Sequence, residues 1–108
     1  MDIKELTQAM HDLVRHHGWY DSGSPKQQLP RNLAISLSLE ASEVLEHFQW
    51  SEQTSDPDGL SGELADVALY LLQLASVCDI DLEQAILNKI KSNYTRVWPE
   101  DAARKGEA

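Results

Sequence analysis

Residues 60–78 read LSGELADVALYLLQLASVC, and no charged residue follows Asp66 in that run. The pattern predicts a helix over 60–78 with two carboxylates, Glu63 and Asp66, set into apolar surroundings. The preceding apolar stretch repeats the motif. SLSLEASEVLEHF, residues 36–48, carries Glu40 and Glu43. Each pair is spaced i,i+3, so its two carboxylates project from one helix face, about 60° apart.

The segment 31–50 has two readings at its start. Leu33, Ile35, Leu37 and Leu39 alternate like a strand, while Leu33, Leu37, Ala41, Val44, Leu45 and Phe48 follow a helix period. Its uninterrupted length and Ala/Glu content decide for helix. The alternation then marks a helix that is apolar on more than one side, as in a bundle or a subunit interface. Two further helices flank this pair. Asp2 with Glu5 opens the first, whose apolar face is Ile3, Leu6, Met10, Leu13 and Val14. Asp81 with Gln84 opens the last, about 82–97, which Pro99 stops. The stretches 18–30 and 51–59 are polar and turn-rich, and 99–108 reads as a frayed tail. The expectation is an all-α fold of four helices in a single domain, residues 1–108.

Composition narrows the function classes. Eighteen acidic residues against nine basic ones give a net charge of −9, which argues against binding a nucleic-acid polymer. No apolar run reaches the ~18 residues of a membrane span and no basic-plus-apolar leader is present, so the expectation is a cytoplasmic protein with no membrane partner. The one cysteine, Cys78, allows no internal disulfide and no cysteine zinc site, and reads as a packing thiol. Neither a P-loop nor a dinucleotide glycine motif occurs. A chain this short buries only roughly 60–65% of its unfolded surface, so a thin core is completed by oligomerisation.

The carboxylates then need an explanation. A buried, unpaired one costs several kcal/mol, and four facing each other repel and raise one another's pKa. Glu63 on a helix dipole and Glu43 on a solvated stripe with Glu46 would be a bland account of each pair alone. Two matching pairs on consecutive apolar helices favour a hard divalent cation between them, with Mg²⁺ suited to carboxylate oxygen. Other metals fit less well. A di-iron bundle needs Glu-x-x-His, and the residues three before His11, His16, His17 and His47 are Gln8, Leu13, Val14 and Val44. A calcium loop around Asp56-Pro57-Asp58-Gly59 would begin at Thr54 and end at Ala65, which cannot ligate in that register.

Pro30-Arg31-Asn32-Leu33, Glu40-x-x-Glu43, Phe48-Gln49-Trp50 and Glu63-x-x-Asp66-x-x-x-Tyr70, followed by Lys89, Asn93, Arg96 and Pro99, together resemble the all-α nucleoside triphosphate pyrophosphatases. The resemblance is to their MazG-like group and its dCTP pyrophosphatase branch, and covers about residues 11–99. It implies a four-helix MazG-like bundle assembled as a homodimer or homotetramer, and Mg²⁺-dependent hydrolysis of nucleoside triphosphates, dCTP or related dNTPs, to monophosphate and pyrophosphate. It implies Glu40, Glu43, Glu63 and Asp66 as metal ligands, with Glu43 or Glu63 as the general base. It assigns Lys89 to phosphate, Asn93 to base or sugar, and Trp50 to the base pocket. Trp19, Tyr70 and Arg96 complete the candidate substrate-binding set, and His11 stays open between a pocket group and a half-exposed helix histidine. The 20–29 loop departs from the branch pattern. Two rivals remain: a non-enzymatic helical interaction module, and the same fold acting on another nucleotide such as dUTP.

Overall fold

The computed structural model describes residues 1–101, so most of the expected tail, 102–108, lies outside the described residues. Among the described residues four long helices make the fold, α1 (Ile3–His16), α2 (Pro30–Glu46), α3 (Pro57–Val77) and α4 (Leu82–Thr95), and residues 99–101, expected as frayed tail, are helical as well. No strand occurs among the described residues, as expected. The caps are local chemistry. Asp2 Oδ1 accepts from the Glu5 amide at 2.8 Å, and Asp81 Oδ1 from the Gln84 amide at 3.0 Å, each satisfying an orphan donor of a first turn.

Three helix limits differ from the expectation, and the simplest is that α4 ends at Thr95 rather than about 97, with Arg96 extended as its C-cap. α3 starts at Pro57 rather than 60, because Asp56 caps it, accepting from the Gly59 amide at 3.0 Å, and Pro57 takes the first helical position. A Cβ on Gly59 would collide with the Asp56 carboxylate, so the cap and the glycine are one device. α2 ends at Glu46 rather than running to Trp50, and His47 caps it with its amide on the Val44 and Leu45 carbonyls. Phe48-Gln49-Trp50 therefore lies in the connection, not on the helix.

α2 and α3 form a hairpin through residues 47–56 and pack along each other more extensively than any other pair. α1 lies against α3, while α4 touches α3 only lightly and buries none of its residues. The sealed apolar core is Met10, Val14, Leu33 and Ala75. At roughly 1.5–3 kcal/mol for each large buried side chain, this set cannot offset backbone ordering at about 1–2 kcal/mol per residue. The shape agrees: the radius of gyration is 18.0 Å, against ~13 Å for a compact chain of this length. Leu39, Leu45, Leu87 and Ile90 stand 50–67% exposed.

α3 corrects one more expectation. With 21 residues, and a mean hydropathy of 1.3 over its most apolar 18, it is long and apolar enough to cross a membrane by length and composition. α3 is also the helix that α1, α2 and α4 all touch, although within the single chain only Gln73 and Ala75 of it are buried. Asp66 near its midpoint would cost about 2.5–3.5 kcal/mol at a bilayer centre.

Two helices end in the same way. After α1, Gly18 adopts φ +70° and gives its amide to Arg15 O at 2.9 Å, while Trp19 gives its amide to Val14 O at 3.2 Å. After α3, Asp79 adopts φ 56°, with its amide on Ser76 O at 3.1 Å and the Ile80 amide on Ala75 O at 2.8 Å. Both are Schellman closures, for which glycine suits the left-handed position and aspartate bears strain. Replacing Asp79 by glycine should stabilise the protein by about 0.5–1 kcal/mol, read as a higher urea midpoint with unchanged slope. An unchanged or lower midpoint would show that the left-handed position holds no such strain.

Candidate active site

The α2–α3 hairpin sets the two acidic pairs against each other. Glu40, half-buried, titrates above the ordinary carboxylate range. Burial is the largest cause, followed by a hydrogen bond with Glu43 and by the charges of Glu43, Asp66 and Glu63. All four predicted acids thus lie within electrostatic reach of one carboxyl. Glu43 and Asp66 are exposed, whereas Glu40 and Glu63 are half-buried. Glu40 Oε2 and Glu63 Oε2 are sealed from solvent and neither has a hydrogen-bond partner.

Glu63 does have a close neighbour. His47 Nε2 meets Glu63 Oε2 in a contact that is an ion pair only when the imidazole is protonated, and whose alignment is not that of a hydrogen bond. The other ring nitrogen, Nδ1, lies 2.6 Å from Thr54 Oγ1, so the turn after α2 fixes the imidazole against the acidic set. The sequence held a signal for this residue. His47 stands seven positions after Glu40, on the same face of α2 continued by one residue.

Sealed carboxylate oxygens without donors, drawn from two facing helices, fit a hard divalent cation. The set is not a closed cage. Among the described residues no three histidine, cysteine or acidic side chains converge as preformed ligands.

Beside Asp66 opens a cavity of about 210 Å³, bordered by Met10, Trp19, Lys26, Gln28, Tyr70 and Gln73 among others. Trp19 is held there by the Schellman closure of α1. Its ring stacks on His17 with centroids 4.6 Å apart and 16° between planes, and Lys26 Nζ stands 4.6 Å from its centroid. A polar chain backs the cavity. His11 Nδ1 lies 2.6 Å from Tyr20 Oη and its Nε2 lies 2.7 Å from Ser76 Oγ, while Gln73 Nε2 donates to Tyr20 Oη at 3.2 Å.

Of the predicted residues, the single chain therefore gathers Glu40, Glu43, Glu63 and Asp66 at one place and Trp19 and Tyr70 at the adjoining cavity. It does not bring the others there. Trp50 is 89% exposed in the connection after α2. Lys89 and Asn93 are exposed on α4. The Arg96 guanidinium lies 3.7 Å over the Trp98 ring. His11 is half-buried and joined to the polar chain, so neither of its two sequence readings alone describes it. Sequence reasoning missed His47, Lys26, Gln28 and Gln73. Gln73 likewise stands seven positions after Asp66 on one face of α3, whereas for Lys26 and Gln28 no periodic signal exists, since they meet it only when the 18–29 loop folds onto α3.

The geometry has relatives. The family model described as MazG-like matches residues 35–107. This chain belongs to the MazG-like family. It is 35% identical over 107 residues to human dCTP pyrophosphatase 1, covering 89% of this chain and 62% of that protein. It is 34% identical over 99 residues to the mouse dCTP pyrophosphatase 1, covering 82% of this chain and 58% of that one. The chain thus spans about 60% of the length of these two curated relatives. A solved pyrophosphatase from Archaeoglobus fulgidus superposes with a TM-score of 0.68 at 33% identity, covering 84% of this chain and 87% of that one. That likeness agrees with the all-α MazG-like architecture.

The polar chain makes stability depend on pH. Burial is the main cause of a lowered His11 pKa, with the Arg15 charge adding to it and Asp12 opposing. A histidine whose folded pKa is depressed binds fewer protons folded than unfolded. Its contribution is present above the ordinary histidine pKa and is lost as pH falls through that value toward the lowered one. Wild type should lose more stability than His11→Gln between about pH 7 and pH 5.5. Urea midpoints at each pH measure it, and parallel curves would remove His11 from the account.

Proposed function

We propose that this chain is a divalent-metal-dependent pyrophosphohydrolase acting on deoxynucleoside triphosphates, releasing monophosphate and pyrophosphate. One observation carries the reading: two i,i+3 carboxylate pairs on facing helices, with two sealed oxygens lacking donors, adjoin a cavity bordered by aromatic rings. The names of the dCTP pyrophosphatase relatives support it, as does that of a Salmonella phage dATP/dGTP diphosphohydrolase, 47% identical over 38 residues. The metal proposed is Mg²⁺ and the first substrate proposed is dCTP or a related dNTP.

Glu40, Glu43, Glu63 and Asp66 would hold the metal. A divalent cation, when bound, supplies Lewis-acid neutralisation of the phosphate charge. The chain's own groups do the rest. Glu43 or Glu63 takes the proton from the attacking water. His47, fixed by Thr54, orients Glu63. Trp19 and Tyr70 border the base and exclude water from it, aromatic stacking being worth roughly 1–3 kcal/mol per base.

We also propose that a homodimer or homotetramer is the working unit. Its partner chains cover the apolar faces of α2 and α4 and bring Lys89, Asn93, Arg96 and Trp50 to the substrate. The extended shape and the light seating of α4 support this. The same exposed faces are what a non-enzymatic interaction module would present, and the activity assay separates the two.

Glu40→Gln and Asp66→Asn should each abolish Mg²⁺-dependent pyrophosphate release while helical circular dichroism persists. Both should raise the melting temperature of the metal-free protein by removing repulsion. Near-normal turnover in either variant would refute the ligand assignment.

Sedimentation at micromolar concentration should show no substantial 12.1 kDa species. An active monomer would refute the assembly.

A further inference from the structure

Gln73 is 3% exposed on α3 and borders the same cavity as Asp66, seven residues away. Seven residues rise about 10 Å and return to nearly the same face. Both hydrogens of its amide are committed. Nε2 donates to Gln28 Oε1 at 2.7 Å and to Tyr20 Oη at 3.2 Å. The orientation is imposed from both sides. Gln28 Nε2 donates to the Lys26 carbonyl at 2.8 Å, so Gln28 must turn its oxygen toward Gln73. Inverting Gln73 would set two amide oxygens against each other. On the other side, Tyr20 accepts from Gln73 and has one acceptor for its own hydrogen among the described residues, His11 Nδ1 at 2.6 Å. His11 is then the Nε2–H form, donating to Ser76 Oγ at 2.7 Å. Burial supports this, holding Tyr20 protonated and His11 neutral.

What is left over is Gln73 Oε1. It accepts no hydrogen bond among the described residues, yet it is not among the polar atoms sealed from solvent. A nearly buried side chain that borders the cavity thus keeps one acceptor unpaired and not sealed from solvent. The cavity, about 210 Å³, is below the roughly 300–1,000 Å³ of pockets that enclose a whole ligand, so it suits a base rather than a complete nucleotide. A nucleotide laid along α3 with its phosphates at Asp66 reaches Gln73 with the edge of its base.

We infer that Gln73 selects nucleobases bearing an exocyclic amine at that edge, the 4-amino group of cytosine or the 6-amino group of adenine. Oε1 accepts a hydrogen bond from the amine, and a carbonyl there, as in uracil or hypoxanthine, meets it oxygen to oxygen. The inference rests on the proposed nucleotide site and specifies its substrate class. It extends the polar chain into function: Lys26 O, Gln28, Tyr20 and His11 act as positioning groups that keep the amide from turning over. A site built for one hydrogen-bonding edge rejects the opposite edge because its own polar atom is left unpaired.

The test uses product nucleotides, whose binding needs no turnover. Calorimetry with the full chain and Mg²⁺ compares dCMP with dUMP, and dAMP with dIMP. Wild type should bind the amino member of at least one pair about tenfold more tightly, the equivalent of one buried hydrogen bond. Gln73→Leu should bring that ratio to about one. Gln28→Ala, which frees the amide to invert, should lower it with the helices intact, and carries the test if Gln73→Leu fails to fold. Equal or reversed binding in wild type, a ratio unchanged in both variants, or no binding of any of the four would overturn the inference. Pyrophosphate release from dNTPs is measured in parallel. Turnover without amine preference overturns the role of Gln73 alone, and amine preference without turnover supports it while overturning the proposed hydrolysis.

Discussion

Glu40 on α2 is half-buried against α3, and burial first, then Glu43, Asp66 and Glu63, raise its pKa, so the cost of gathering carboxylates between two helices is the constraint on which the site depends. A hairpin normally closes on apolar contacts alone. Here its seam also holds two half-buried acids, Glu40 and Glu63, each with a sealed oxygen that has no hydrogen-bond partner, beside the exposed Glu43 and Asp66. His47 lies against Glu63, and Thr54 in turn holds His47. The connection 47–56 is therefore part of the site rather than a simple link. Such an arrangement is tolerable when a counter-charge completes it, which ties the stability of the hairpin to its chemistry.

The same economy governs the rest of the chain. Its sealed apolar core is four residues, and α4 hardly joins it. Large side chains on α2 and α4 stay in contact with water, and the radius of gyration exceeds that of a compact chain of this length. Exposed apolar area on this scale marks an interaction surface. The assembly proposed above would reconcile the short length with a stable fold, and would account for the four of the ten predicted site residues that stand away from the cavity in a single chain.

At the other end of the cavity, the proposed specificity has a different physical basis from the proposed metal binding. Charge at Asp66 acts over a distance and needs little orientation. The amide of Gln73 is uncharged, and its two ends differ only in donor and acceptor. It becomes informative only because Gln28 and Tyr20 leave it a single orientation. The two ends share one face of α3, so one helix sets their separation.

Much of this was legible in the residues. Periodicity and caps supply four helices, because capping and amphipathic spacing are local properties. The carboxylate pairs stand out as charges in apolar runs, and their spacing is itself helical. The limits of α2 and α3 shifted where a turn residue outweighed a periodic run: Pro57 behind Asp56 extended one helix, and the His47 turn shortened the other. What the tertiary structure alone decided is which loop atoms meet which helix. The 18–29 loop has no period, so nothing in the order of its residues places Gln28 against Gln73 or Lys26 over Trp19. Those contacts arise when left-handed Gly18 ends α1 and the loop folds across α3. Local rules write helices and their charged faces into a sequence, whereas a pocket built from a loop and a helix depends on contacts between residues distant along the chain.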